Sequence, residues 1–136
     1  MREIKFRAWD KTNEKWLHRP TFYIHCDGKI NTWEVGEEDK YLSEYHDDLV
    51  LMQFTGLLDK KGVEIWEGDI LKTRSRYDYD LFSEDIIKAV EFVGGQFNPM
   101  RETKMTKYRI LPLYYDFEVI GNVFENPELL ETNNET

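Results

Sequence analysis

The segment at residues 51–72 is the feature that most constrains how this chain folds. It predicts two strands on either side of a polar turn at residues 59–62, whose final glycine can adopt the left-handed conformation. Residues 67–69, with the sequence Glu-Gly-Asp, then predict a bend or a bulge. We expect residues 49–56 and 63–72 to form the central strands of the protein. The segment specifies a fold and carries no signature of a reaction.

An opening hairpin and a short helix are predicted upstream of this segment. Residues 4–9 show the period-two alternation of a half-buried strand, and the polar residues 10–15 can form a turn before Trp16. Residues 37–46 begin with acidic side chains, which favour the first turn of a helix, and continue with apolar side chains at helical spacing. These apolar residues are Tyr41, Leu42 and Tyr45.

A second hairpin is predicted around Asp27 and Gly28. This dipeptide is a strong signal for a two-residue turn, in which both positions require positive φ. The segments on either side are rich in aromatic and apolar side chains, as expected for strands. The predicted partners are Phe22 with Trp33 and His25 with Ile30.

Further strands are predicted along the rest of the chain. Residues 90–97 indicate a hairpin that turns at two glycines, and Pro99 places any pairing there at an edge or ends it. Residues 108–113 and 115–124 are predicted as the last strands. Residues 126–130, Asn-Pro-Glu-Leu-Leu, are typical of a helix start, since Asn can cap a helix and Pro fits its first turn.

Short strands separated by turn signals from about residue 49 onward favour a small barrel or a strongly bent sheet, because closure removes exposed edges. An aromatic content of 15% suits such a core. We predict a mainly β fold with short helices. An N-terminal lobe of hairpins plus a short helix would occupy residues 1–48, and a barrel core with a C-terminal helical turn residues 49–130. Residues 131–136 would form a frayed tail.

Charge and cysteine content limit the partners and the compartment. The chain of 136 residues has 18 Lys and Arg against 27 Asp and Glu, and its net charge of −9 disfavours nonspecific attraction to nucleic acid or anionic lipid. The single Cys26 excludes an intramolecular disulfide, and no segment has the pattern of a signal peptide. No apolar run approaches the roughly 20 residues that cross a bilayer. We expect a soluble, cytoplasmic protein.

Four residues could provide soft metal ligands, but their spacing fits no zinc motif. His25 and Cys26 would point to opposite faces of a strand, which also argues against a Cys-His nucleophile. The four residues are His18, His25, Cys26 and His46. We predict no metal, no cofactor and no catalytic residue.

Glu67 and Asp69 would share a face of an ideal strand, so they could form an acid and base pair or an oxygen-rich cation site. Gly68 between them breaks this ideal geometry. We favour the alternative of a corner in which Asp69 accepts hydrogen bonds from backbone N–H groups and Glu67 is solvated. Gly94 and Gly95 form no phosphate loop, because no Walker lysine or helix start accompanies them.

Two charged surfaces are candidate interaction sites, with ordinary solvated charge as the alternative for both. The acidic surface could dock on a basic protein, and it consists of Glu37, Glu38, Asp39, Glu44, Asp47 and Asp48. The basic surface could bind single-stranded nucleic acid, because guanidinium groups pair with phosphates and aromatic faces stack on bases. It consists of Lys72, Arg74, Arg76, Lys104, Lys107 and Arg109, with Tyr77, Tyr79 and Tyr108 nearby.

Three blocks of the sequence carry a resemblance to a known family. Residues 4–10 have the sequence IKFRAWD, and residues 118–130 have the sequence EVIGNVFENPELL. Between them, residues 53–70 contain QFTGL, then Asp59, Gly62 and Ile65, and end in EGDI. In this order the blocks resemble the YopX family of phage and prophage proteins. Trp66 and Phe124 stand where that family often has Tyr, and residues 11–48 and 73–116 match poorly.

The resemblance implies a mainly β protein with an SH3-like barrel core, encoded by a phage or an integrated prophage and present in the bacterial host. It implies no enzymatic activity and supplies no catalytic residues. We therefore expect a non-enzymatic accessory protein that binds a host or phage protein, or a second copy of itself. A nucleic-acid-binding barrel is the alternative, and an enzyme is a third hypothesis.

Overall fold

The protein is mainly β in its computed structural model. The structure describes residues 3–17, 22–35, 41–45, 48–74, 85–99, 103–105, 110–112 and 117–131. Within these ranges there are fourteen strands and one helix. They are β1 (Phe6–Asp10), β2 (Lys15–Trp16), β3 (Phe22–Ile24), β4 (Ile30–Val35), β5 (Tyr41–Tyr45), β6 (Leu49–Leu58), β7 (Glu64–Trp66), β8 (Asp69–Arg74), β9 (Asp85–Ala89), β10 (Glu91–Val93), β11 (Gln96–Asn98), β12 (Thr103–Met105), β13 (Ile110–Pro112), β14 (Glu118–Asn122) and α1 (Glu128–Glu131).

The chain divides into two compact units. The N-terminal unit contains residues 5–52, and the C-terminal unit contains residues 1–4 and 53–136. Each unit has buried apolar side chains of its own. In the N-terminal unit they include Ala8, Trp9, Ile30 and Met52. Among the described residues, no helix is long and apolar enough to cross a membrane.

The predicted opening hairpin is confirmed. Strands β1 and β2 pair antiparallel with Trp9 opposite Trp16, and the two rings meet edge to face with their centroids 5.0 Å apart. The turn between the strands is held by Asp10, whose Oδ1 accepts hydrogen bonds from the N–H groups of Thr12 and Asn13, each at 3.0 Å. The side chain of Asp10, at the first position of the turn, therefore fixes where β1 ends.

The second hairpin forms as predicted, but the predicted register is wrong. Its turn has three residues, because the N–H of Gly28 donates to the carbonyl of His25 at 2.9 Å and Gly28 takes a φ of 85°. A type I turn followed by one left-handed glycine is the common three-residue loop, and it shifts the pairing by one residue. The observed partners are Phe22 with Thr32, Tyr23 with Asn31 and Ile24 with Ile30.

The predicted helix over residues 37–46 is wrong where the structure describes it. Residues Tyr41–Tyr45 form β5, which pairs antiparallel with β4 and has Tyr45 opposite Asn31. Residues four apart share a face in both a helix and a strand, so the spacing of Tyr41 and Tyr45 fits either structure. Tyrosine favours strands, and β4 offers a backbone partner along the whole of β5. Residues 37–40 and 46 lie outside the described ranges.

The C-terminal unit is built around a buried apolar cluster. The predicted central strands are confirmed as β6, β7 and β8, with the corner at residues 67–69 between β7 and β8. Strand β8 lies between β14 and β9, and Leu71 of β8 pairs with Val119 on one side and Lys88 on the other. The cluster consists of Ile65, Leu71, Val90 and Phe117, with Leu57, Phe97 and Val119 packed against it.

The predicted hairpin at residues 90–97 is confirmed as β10 and β11. Val93 pairs with Gln96, and the two residues between them, Gly94 and Gly95, take φ values of 62° and 77°. Positive φ at both positions defines a type I′ turn, whose twist matches that of the strands. Strand β11 ends at Asn98, before the proline that was expected to stop it, and the Asn98–Pro99 peptide bond is cis.

The last predicted strands and the C-terminal helix are also present. Strand β13 lies within residues 108–113 and β14 within residues 115–124, and α1 begins at Glu128. The asparagine expected to cap the helix has a different partner for its side chain. Asn126 Oδ1 accepts a hydrogen bond from the N–H of Asn122 at 3.3 Å, whereas the backbone carbonyl of Asn126 accepts from Leu129 at 3.1 Å.

Candidate functional site

The carboxylate of Asp59 holds the turn between β6 and β7 against the start of β14. Its side chain is 6% exposed, and Oδ1 accepts hydrogen bonds from the N–H groups of Lys61 at 2.8 Å and Val63 at 2.9 Å. Oδ2 accepts from the N–H of Val119 at 3.0 Å. Burial acts to raise the pKa of Asp59, but the three backbone hydrogen bonds and the nearby Lys61 outweigh burial and lower the pKa. Asp59 therefore carries its charge at neutral pH, and its carboxylate accepts three hydrogen bonds from backbone N–H groups.

Both acidic residues of the corner at residues 67–69 bind backbone groups. Asp69 is 3% exposed, and its Oδ2 accepts a hydrogen bond from the N–H of Trp66 at 2.8 Å, as expected for a structural corner. The expectation that Glu67 is solvated is wrong. Glu67 is half-buried, and its Oε2 accepts from the N–H of Gln53 at 3.2 Å. The backbone N–H of Glu67 donates to the carbonyl of Gln53 at 2.9 Å, so the residue lies beside β6. The Glu67 carboxylate therefore ties the corner to β6, and the Asp69 carboxylate ties it to the end of β7.

The end of β14 is organised by asparagine side chains. Asn122 is 8% exposed, and its Oδ1 accepts hydrogen bonds from the N–H groups of Phe124 at 3.1 Å and Glu125 at 2.9 Å. Asn126 packs directly over Gly121, where an added Cβ would lie 2.5 Å from Asn126 Oδ1. These contacts thus give a structural explanation for residues in the block 118–130 that resembles the family.

The acidic surface is only partly within the described residues. Asp48 is exposed and accepts a hydrogen bond from Thr12 Oγ1, while its backbone carbonyl accepts from the N–H of Lys11 at 3.1 Å. Asp48 therefore supports the β1–β2 turn. Glu44 lies on β5 opposite Thr32. The residues outside the described ranges are Glu37, Glu38, Asp39 and Asp47.

The basic surface is likewise only partly described. Lys72 lies on β8, and its Nζ forms an ion pair with Asp85 Oδ2 at 3.0 Å. Arg74 on β8 pairs in register with Asp85, and Lys104 lies on β12 opposite Leu111. The remaining members, Arg76, Lys107 and Arg109, lie outside the described ranges together with Tyr77, Tyr79 and Tyr108. The structure thus gives a side-chain partner for one residue of this surface, and that partner is an acid.

The candidate metal ligands are not brought together where the structure describes them. His25 begins the β3–β4 turn and Cys26 follows it as a free, exposed thiol. His18 and His46 lie outside the described ranges. Among the described residues, no group of three or more His, Cys, Asp or Glu side chains could hold a metal ion.

The β10–β11 hairpin exposes apolar side chains that the sequence interpretation did not single out. Phe92 and Val93 are each 54% exposed, and all three residues of β10 are exposed. The Phe92 ring meets the Phe97 ring edge to face at 5.0 Å, and Phe97 packs against the buried cluster. Residues 92–99 contain no charged side chain, although 33% of the chain is charged. The uncharged stretch at residues 92–99 is the sequence feature that marks this hairpin.

A cleft of about 310 Å³ lies beside the base of this hairpin. Its lining combines an ammonium group, a carboxylate and apolar side chains from β9, β10, β11 and α1. The Asn98 side chain in this lining accepts a hydrogen bond from Gln96 Nε2 at 3.3 Å. The lining residues are Lys88, Ala89, Glu91, Asn98, Pro99 and Leu130.

These features define a small, mainly β protein in which buried carboxylates organise the backbone and a hairpin presents apolar side chains to solvent. The chain belongs to the YopX family, because the family model described as YopX protein matches residues 5–131. The crystal structure of protein EF1440 from Enterococcus faecalis is similar, with 28% identity and a TM-score of 0.56, over 94% of this chain and 98% of that one.

The crystal structure of protein yopX from Bacillus subtilis has the same fold. Its sequence is 22% identical to this chain, its TM-score is 0.57, and the match covers 96% of this chain and 97% of that one. No curated protein matches the sequence. The resemblance stated from three sequence blocks is therefore confirmed at the level of the family.

Proposed function

We propose that this YopX-family chain is a non-enzymatic protein-interaction module that serves a phage or prophage in the cytoplasm of its bacterial host. The observation that carries the proposal is the exposure of Phe92 and Val93 on the β10–β11 hairpin. Both side chains lie on a two-stranded ribbon with a tight glycine turn. Exposed aromatic side chains in a rigid setting are typical of the anchors that dominate protein interfaces.

The energetics favour covering this hairpin. Full burial of a phenylalanine or valine side chain stabilises by about 1.5–3 kcal/mol, so covering the exposed half of Phe92 contributes on the order of 1 kcal/mol. Phe97 already anchors the opposite strand to the buried cluster, so little ordering is required when a partner binds. The hairpin is therefore a preformed docking element.

The absence of enzymatic activity is part of the proposal and is supported by the use of the described carboxylates. Asp10, Asp59 and Asp69 are buried, and each accepts hydrogen bonds from backbone N–H groups. A carboxylate held in this way fixes a turn and has little capacity left to move a proton.

We also propose that the strands of the C-terminal unit curl into the SH3-like barrel that the family resemblance implies.

The acidic surface is a second element of the proposal. A net charge of −9 would attract a basic protein, and Glu37 to Asp48 supply the densest group of carboxylates in the chain. The nucleic-acid alternative has less support, because Lys72 is paired with Asp85 and the overall charge repels phosphate.

A photo-crosslinking residue at position 92, compared with the same residue at position 4, tests the proposal in phage-bearing host cells. Ile4 is 60% exposed and provides a control of similar exposure in the same unit. Protein adducts that form at position 92 and are weak or missing at position 4 would support an interaction module. Adducts to nucleic acid would favour the alternative, and a lack of any protein adduct at position 92 would contradict the proposal.

A further inference from the structure

We infer that the cleft beside the β10–β11 hairpin binds an arginine side chain of the partner protein. This inference rests on the proposed interaction function and names the chemistry of the partner at one point of the contact. Three properties of the cleft carry it. They are apolar side chains that can cover the methylene stem of an arginine, acceptor groups that fit its guanidinium, and an excess of negative charge nearby.

The apolar side chains of the cleft come from separate elements. Ala89 ends β9, Pro99 directly follows β11 and is fully buried, and Leu130 belongs to α1, which lies against β9. Long cationic side chains pack their methylene groups along apolar surface and keep the charged group near water. A volume of about 310 Å³ is at the small end of ligand sites, so the cleft accommodates one or two side chains of a partner.

Glu91 and Asn98 place two acceptor groups at this cleft. They lie opposite each other in the hairpin, so their side chains share a face of the ribbon. Glu91 is exposed, and its side chain forms no hydrogen bond or ion pair in the part of the chain that the structure describes. The Asn98 amide oxygen accepts one hydrogen bond, from Gln96, and an oxygen of this kind can accept a second.

The backbone of Ala89 provides a third acceptor. The N–H of Val90 donates to the carbonyl of Asp69 and its carbonyl accepts from Gly68, each at 2.8 Å. Successive residues of a strand direct their backbone groups to opposite edges, so the C=O of Ala89 points to the other edge, along which β11 pairs. Strand β11 ends at Asn98 and does not extend as far as Ala89. Since Ala89 lines the cleft, its carbonyl can accept a hydrogen bond from a group bound there.

The charges around the cleft favour a cation. The helix α1 carries Glu128 and Glu131, which are both exposed, and it has no basic residue in its last turn. Glu91 adds a third carboxylate. Lys88 also lines the cleft, but the alternation of the strand starts its side chain on the opposite face from Glu91. The net charge of −9 attracts a cationic partner in the same sense.

The kinds of acceptor favour arginine over lysine. A guanidinium group is planar and has five N–H donors in a fixed fork, so it can bond a carboxylate and neighbouring oxygen atoms at the same time. A lysine ammonium is a compact, strongly hydrated point charge and does not match such a set of acceptors as well. The carboxylate of Glu91 requires a charged group, and the oxygens of Asn98 and Ala89 favour the forked one.

Capped amino acids test the inference on the full chain. Nα-acetyl-L-arginine methylamide should bind with millimolar affinity and shift the backbone amide resonances of residues around the cleft in NMR spectra. The citrulline analogue has the same shape without the charge and should bind about fivefold more weakly, because a charge-assisted hydrogen bond becomes a neutral one. The lysine analogue should also bind more weakly, because it lacks the fork. Added salt should weaken the binding of the arginine analogue more than that of the citrulline analogue.

Glu91→Gln isolates the contribution of the carboxylate. It removes the charge and keeps the size of the side chain, so it should weaken binding of the arginine analogue about fivefold and remove its advantage over the citrulline analogue. Glu14→Gln is the matched control, because Glu14 is an exposed carboxylate in the N-terminal unit and the change in net charge is the same. This variant should bind like the unmodified chain. Circular dichroism spectra should confirm that both variants are folded.

Several outcomes would overturn the inference. Equal binding of the arginine and citrulline analogues would show that the cleft does not recognise charge, and equal binding of the lysine analogue would exclude the forked geometry. Resonance shifts centred elsewhere, or equal effects of Glu91→Gln and Glu14→Gln, would remove the site from this cleft.

The proposed interaction function is tested separately, by the adducts formed at position 92. Phe92 pairs with Phe97, and its side chain lies on the opposite face of the ribbon from Glu91. Protein adducts at position 92 would therefore keep the interaction function in place if the cleft rejects arginine. Cleft binding of the arginine analogue with the expected preference over citrulline would support the inference on its own evidence.

Discussion

Asp59 accepts a hydrogen bond from the backbone N–H of Val119, 60 residues further along the chain, at 3.0 Å. The same carboxylate accepts two hydrogen bonds within its own turn, from Lys61 and Val63. The carbonyl of Phe117 in turn accepts from the N–H of Lys60 at 2.9 Å. One aspartate therefore both shapes a local turn and attaches that turn to the start of the last strand of the C-terminal unit.

Replacing Asp59 with Asn should destabilise the protein by about 2 kcal/mol, the cost of losing charge-assisted hydrogen bonds in a buried site. Asn keeps the shape but offers one acceptor oxygen, and its NH₂ group would face a backbone donor. Urea unfolding followed by tryptophan fluorescence measures the effect. Asp85→Asn is the matched control, because it removes a surface ion pair with Lys72 and should cost less than about 1 kcal/mol. Equal losses in the two variants would contradict the special role of Asp59.

The lowered pKa of Asp59 leads to a prediction of how the free energy of unfolding depends on pH. The pKa of Asp59 is lowered in the folded chain, so the unfolded chain binds a proton at this carboxyl first as the solution is acidified. The stabilisation is complete above the ordinary carboxyl pKa of about 4 and is lost as the pH falls through the lower, folded pKa. The free energy of unfolding should differ between the unmodified chain and Asp59→Asn by a constant amount from pH 5 to 7.

Below a pH of about 4 this difference should shrink. Glu118 has a pKa shifted in the same direction by hydrogen bonds from Lys61 and Lys60, and it is present in both proteins. The comparison therefore isolates Asp59 from the general acid sensitivity of the fold. A difference that stays constant down to pH 2.5 would show that the charge of Asp59 does not stabilise the folded state.

Gly121 should tolerate no side chain while Asn126 keeps its position. An added Cβ would lie 2.5 Å from Oδ1 and 2.9 Å from Cβ of Asn126, so Gly121→Ala must displace that side chain and its hydrogen bond to Asn122. We expect a loss of about 1–3 kcal/mol, typical of overpacking. Asn126→Gly removes all three side-chain atoms that the added Cβ would meet, so the double variant should lose less than the sum of the two single losses. Additive losses would argue against the steric explanation.

Local chemistry explains which parts of the fold are predictable from sequence. The turn at residues 59–62 and the Gly94 and Gly95 turn depend on residues with strong conformational preferences, and both were predicted with their strands. Asp27 and Gly28 support a two-residue or a three-residue loop, and the hydrogen bond from Gly28 to His25 decides between them. The register error follows from that ambiguity.

Other features depend on contacts between segments that are distant in sequence. The spacing of Tyr41 and Tyr45 fits a helix or a strand, and pairing with β4 decides for the strand. The sequence pattern also does not predict that Phe92 is exposed to solvent. Phe92 and Phe97 are chemically alike, and only the packing shows which ring lies against the core. The uncharged stretch at residues 92–99 does not identify which of its side chains are exposed.

The last prediction concerns Gly94, where the effect of backbone conformation on stability can be separated from the effect of side-chain packing. Its φ of 62° is left-handed, and a Cβ added there would have no atom within 4 Å, so a substitution changes only the backbone preference. Asn adopts this conformation readily, so Gly94→Asn should change the free energy of unfolding by less than about 0.5 kcal/mol. Val is β-branched and disfavours it, so Gly94→Val should destabilise by about 1–2 kcal/mol. Urea unfolding compares the two variants, and equal stabilities would mean that the turn contributes little to holding β10 and β11 together.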